Sequence, residues 1–135
     1  MREIKFRGWY GSKLGMMLPT FNGNINEIFA QKHGDYMQFT GLRDKNDNEI
    51  YEKDLYQTPY MEKRGCAYKV IYSTEFAGYL FCPFKIGDEN APLLGIEEFA
   101  QEWETVGSNG RVIGNIYENP EMINDSLAQS EDVRY

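Results

Sequence analysis

One histidine and two cysteines, with a handful of neighbouring carboxylates, are what this chain offers to reaction chemistry. A Ser-His-Asp or Cys-His system would have to use His33. That residue sits in a polar, Gly-flanked stretch and reads as a solvent-exposed loop histidine. Cys66 and Cys82 form no C-x-x-C pair, and no second pair exists to complete a zinc site. Glu97-Glu98 and Glu52 with Asp54 could exchange protons in a pocket that perturbed them. As sequence neighbours they read as solvated charges. Residues 44–49 place oxygens at positions 1, 3 and 5 of a calcium-like loop, but Glu49 stands where the turn needs Gly and Leu55 where the ion needs Glu. Neither phosphate-binding glycine motif nor H-E-x-x-H occurs. The residues therefore predict no catalytic site, no cofactor and no metal.

A different chemistry is open to the N-terminal segment. Arg2, Lys5 and Arg7 lie close to Trp9, and Arg43 could join them. Cations beside an aromatic ring could neutralise phosphate and stack a base. Lys and Arg on a strand edge also guard against aggregation, and that reading is preferred. The overall charge supports the preference: 14 basic against 21 acidic side chains give −7. Residues 1–69 carry 11 basic and 9 acidic groups, whereas residues 70–135 carry 3 and 12. An acidic chain is a poor general partner for nucleic acid.

The elements that would hold these residues are mostly strands. At 135 residues, with 15% aromatic side chains and 13 glycines, the chain suits one soluble β-rich domain. No apolar run approaches a membrane span, and the first residues lack the apolar core of a signal peptide. Alternation predicts a strand over 2–10 and a return at Met16-Met17 that Pro19 ends. Residues 20–34 read as a loop with a weak element near 27–32. A strand over 36–42, a turn over 43–48 and a short strand at 49–51 follow. Residues 66–73 and 78–84 form a hairpin turning near Glu75, broken by Pro83. In that register Tyr72 faces Tyr79, Val70 faces Phe81 and Lys69 faces Cys82. Cys66 then falls on the opposite face from Cys82, so both are read as free thiols. Ile96, Phe99, Ala100 and Trp103 follow helical spacing, with Phe99 and Trp103 in the core. Residues 111–117 read as a late strand, central rather than edge, because both its faces are partly apolar.

Three segments resemble the YopX-like phage protein family: residues 1–9 with Met16-Met17 following, residues 37–52 with Asp54, and residues 112–122. Asp47, Lys53 and Met122 stand where the family pattern has Gly, Gly and Leu, and Lys53 bears on the backbone conformation usual at that glycine. The resemblance implies a phage or prophage origin and a β-rich fold with a C-terminal part like a small SH3-like barrel. It implies no activity. Its signature residues are Gly41, Leu42, Asp44, Ile50, Tyr51, Asp54, Gly114, Asn115, Tyr117, Asn119 and Pro120, and each can be read structurally. Ile50 and Leu55 would enter a barrel wall and Asp54 would cap a tight turn. Gly114 would mark a bulge or close approach, Asn115 would satisfy backbone groups, and Tyr117 with Pro120 would close the last strand.

The expected fold is mainly β, or β-rich α+β, with short helices at most. One domain spans 1–123, a hairpin region to about residue 48 and a barrel-like part over about 49–123. Residues 124–135 form a polar, flexible tail. The expected role is that of a non-enzymatic interaction module in the cytoplasm of a bacterial host. Its partner is an unidentified protein or a second copy of the chain. Arg2, Lys5, Arg7 and Trp9 are the candidate surface, and a small-barrel nucleic-acid binder is the alternative.

Overall fold

The structure, a computed structural model, describes residues 4–18 and 35–124. Arg2, His33, the weak element expected near 27–32 and positions 125–135 of the expected tail lie outside the described residues.

Two four-stranded antiparallel sheets make the fold. The first has the order β2-β1-β3-β4, from β1 (Phe6–Trp9), β2 (Met16–Met17), β3 (Asp35–Arg43) and β4 (Glu49–Tyr51). The second has the order β7-β6-β5-β8, from β5 (Asp54–Gln57), β6 (Cys66–Ser73), β7 (Gly78–Lys85) and β8 (Arg111–Asn115). One of the two sheets forms a half-barrel. The helices are short: α1 (Pro59–Lys63), α2 (Trp103–Val106) and α3 (Pro120–Ile123). The mainly β expectation therefore holds.

The chain passes from one sheet to the other within two residues. Glu52 N–H still bonds the Gln38 carbonyl of the first sheet, whereas Lys53 N–H bonds the Val70 carbonyl of the second. Lys53 makes the corner with φ 73°, and Asp47 in the β3–β4 turn has φ 65°. Both occupy the left-handed conformation that glycine adopts at little cost. These are the positions where the family pattern has Gly.

The second sheet is covered on both faces, which explains why all four residues of β5 are buried. Tyr56, Tyr68, Val70 and Phe81 share one cluster, with Trp103 packed against it. Leu55, Ala67, Phe84 and Ile123 form the other. The β6–β7 register matches the expected one, with Tyr72 opposite Tyr79, Val70 opposite Phe81 and Lys69 opposite Cys82. Both cysteines are free.

Four expectations need correction. Pro83 does not break β7 but sits within it, opposite Tyr68. Phe81 N–H, two residues earlier on the same edge, points away from β6 to Gln101. The hydrogen that Pro83 lacks would point the same way, so no ladder bond is lost.

Residues 96–102 are not helical. Gln101 instead exchanges two backbone hydrogen bonds with Phe81, at 2.8 and 2.9 Å, along the outer edge of β7. Satisfying an edge strand outweighs a short helical stripe. The helix starts only at Trp103, which packs 5.4 Å from Tyr56 and 5.5 Å from Phe81 between ring centres. Phe99 is 65% exposed and does not belong to the core.

Among the described residues β8 is an edge strand that pairs only with β5, and it ends at Asn115 rather than Tyr117. Side chains take the place of a neighbouring strand on its free edge. Val112 N–H donates to Asp44 Oδ2 at 2.9 Å, and Asn115 N–H to Asn119 Oδ1 at 3.2 Å.

The helix α1 has no periodic apolar signal in the sequence. Its signal is local: Thr58 caps it by accepting from Met61 N–H, and Pro59 occupies its first turn.

Candidate interaction surface

Among the basic residues of the N-terminal segment, Arg7 is turned inward and Lys5, still 40% exposed, pairs within the chain. Arg7 reaches from β1 to Asp54 Oδ1 at 2.5 Å, and its guanidinium lies 4.6 Å from the Tyr51 ring centre. Its side chain is 12% exposed and that of Asp54 is 1% exposed. Lys5 pairs with Glu49 at 2.5 Å and lies over Phe39. Arg43 pairs with the same Glu49 and with Asp47. Trp9 stacks on Tyr117 with ring centres 5.9 Å apart. Lys5, Arg7 and Trp9 thus have partners inside the chain. Nucleic acid would have to displace a buried carboxylate to reach Arg7, at a cost of several kcal/mol.

The electrostatics of these pairs follow from burial. Burial pushes the Asp54 carboxyl up to about 6, against the pull of the Arg7 guanidinium and the Tyr51 N–H. The Lys5 ammonium holds Glu49 below the usual carboxylate range. Burial raises both the Cys66 and the Cys82 thiol. A raised thiol is a weak nucleophile near neutral pH.

The signature residues join the two sheets. Asp44 accepts from Asn46 and Asn48 N–H with Oδ1, ordering the β3–β4 turn, and from Val112 N–H with Oδ2. Lys45 N–H adds a bond to the Gly110 carbonyl. Burial raises the Asp44 carboxyl, but these donors outweigh it and hold it below its ordinary value. Asp54 Oδ2 caps Tyr51 N–H at the corner between the sheets. Ile50 is fully buried in the core. Gly41 has φ 88° and Leu42 N–H bonds the Thr40 hydroxyl, where the β3–β4 register shifts. At Gly114 a Cβ would stand 2.3 Å from Asn119 Oδ1. Asn115 Oδ1 accepts from Tyr117 and Glu118 N–H, turning the chain toward Pro120, the buried first residue of α3.

A second surface, carried by no sequence motif, lies elsewhere. Phe76 at the β6–β7 tip is 66% exposed, close in exposure to Phe99. With Leu80, Ala100 and Thr105 they line an open groove of about 480 Å³, bordered by Glu97 and Glu102. Ala77 beside Phe76 has φ 52°, a conformation unusual for alanine. Phe76 belongs to a turn and has no periodic signal, whereas the helical spacing of Phe99 points to the core rather than to this surface.

No helix among the described residues is long and apolar enough to cross a membrane. A comparison with curated proteins finds no match. Among solved structures, the crystal structure of protein EF1440 from Enterococcus faecalis is similar at 23% identity and a TM-score of 0.54, over 92% of this chain and 100% of that one. That likeness is one of fold. The description of the YopX protein family matches residues 20–124, a span that holds both inter-sheet aspartates and the turn at Asn115. Most of the sequence lies within that match, and the chain belongs to the YopX family.

Proposed function

We propose that this chain is a phage or prophage accessory protein that works in the host cytoplasm by binding another protein, with no reaction chemistry of its own. The observation that carries this reading is the exposed groove between Phe76 and Phe99. Large apolar side chains held in the open and bordered by charge are what a docking surface requires. The internal pairing of Lys5, Arg7 and Trp9 weighs against the nucleic-acid alternative.

The test compares tagged wild type with the double variant F76S/F99S, each expressed in a host carrying the parent phage. Wild type is expected to retain a stoichiometric protein that the variant loses. Equal retention by both, or retention of nothing, would sink the proposal. A salt-sensitive mobility shift with single-stranded DNA or RNA would transfer support to nucleic-acid binding.

A further inference from the structure

We propose that the Phe76–Phe99 groove receives a basic, apolar-bearing segment of a partner protein. Its aliphatic or aromatic side chain would lie on the two phenylalanines and its Lys or Arg groups against Glu97 and Glu102. The inference rests on the interaction-module reading and adds the chemistry of the partner.

Charge selects this occupant. Residues 73–106 carry seven acidic side chains and one lysine, Lys85. Lys85 is turned to the Arg64 carbonyl, away from the groove residues. Glu97 and Glu102 make no ion pair among the described residues. An acidic ligand would meet two uncompensated carboxylates, whereas a cation would be steered toward them. Apolar contact is the second requirement, because rim charges alone contribute little affinity. Phe76 and Phe99 supply aromatic faces, and Leu80 forms a buried floor. A second copy of the chain would bring its own acidic groove residues and a net charge of −7, although its Lys45, Lys63 and Arg111 are exposed and make no ion pair among the described residues, so self-association is an outcome of the test.

Fluorescence anisotropy with a short labelled peptide alternating Lys with Leu and Phe tests the proposal. Two matched peptides replace the apolar residues with Ser, or Lys with Glu. The first peptide is expected to bind, and both replacements are expected to abolish binding. F76S/F99S and E97Q/E102Q should each weaken the first peptide about tenfold, which is roughly 1.4 kcal/mol. E62Q/E121Q, an equal charge change away from the groove, should leave it within about twofold. Unchanged melting of F76S/F99S would confirm that the variant folds, as the exposure of both residues implies.

Equal binding of the Ser peptide, equal weakening by E62Q/E121Q, or no binding at all would overturn the inference. So would concentration-dependent self-association of the wild type that F76S/F99S abolishes. If F76S/F99S loses its host partner while the Lys peptide never binds, the interaction reading stands and the basic occupant falls. If neither is seen, both fall.

Discussion

Arg7 and Asp54 sit on different sheets and meet at 2.5 Å, one at the middle of β1 and the other at the first residue of β5. The carboxylate is shared: Oδ1 takes the guanidinium and Oδ2 takes the Tyr51 N–H at the corner. One side chain therefore sets both the turn between the sheets and the seat of the N-terminal strand.

Removing Arg7 should strand a buried carboxylate. R7M is expected to lose about 3 kcal/mol at pH 7. Burial raises the folded-state value of Asp54 to about 6, above its ordinary 3.8. A raised carboxyl stabilises the fold below its unfolded value and loses that contribution as pH climbs through the folded one. Without Arg7 the folded value climbs further. The gap between R7M and wild type should therefore narrow from pH 7.5 to pH 5, as Asp54 takes up a proton. Urea unfolding across that range measures it, and a gap that widens in acid would contradict the assignment.

Asp44 carries the opposite sign. Its donors hold it below 3.8, so its contribution is present above that value and fades as pH falls through the lower folded one. D44A should cost about 2 kcal/mol at pH 7, because three backbone N–H groups lose their acceptor. The penalty should shrink below about pH 4, where the wild type loses the same contribution. Equal penalties at pH 7 and pH 3 would argue that Asp44 acts by shape alone.

G114A should be among the most disruptive small substitutions. The new methyl would overlap Asn119 Oδ1 and displace it from the Asn115 N–H. A loss of about 2 kcal/mol is expected. Wild-type stability in G114A would mean that Asn119 swings away without cost.

K53G should stabilise the fold by about 0.5 kcal/mol, since relief of the left-handed conformation exceeds the added freedom of the unfolded chain. D47G should gain less, because Asp tolerates that conformation better. Thermal melting of the two variants gives the order, and a destabilised K53G would refute it.

Much of the scaffold was legible because alternation and turn chemistry are local signals. The β6–β7 register followed from placing one turn near Glu75, and the 44–48 turn from its Asp and Asn content. The failures share a cause, which is competition from distant partners. Residues 96–102 had helical spacing but were claimed by the open edge of β7 through Gln101. β8 reads as central because its alternation does not reveal that Asp44, 68 residues away, replaces a neighbouring strand at Val112. Lys5, Arg7 and Trp9 looked available because their partners Glu49, Asp54 and Tyr117 lie far along the chain. Phe99 has the spacing of a core residue and lies outside the core for the same reason.

The inter-sheet joins also set an order of events during synthesis. Arg7 waits 47 residues for Asp54, and Asp44 waits 68 for Val112. Trp9 finds its ring partner only when Tyr117, over a hundred residues later, emerges. The amino-terminal strand must therefore leave the ribosome with its cation and indole unsatisfied. Loop closure over such spans makes assembly slow relative to a helical domain of this size. Until the last turn arrives, the nascent chain presents a half-built sheet, and truncation after β7 should yield a product prone to aggregation or proteolysis.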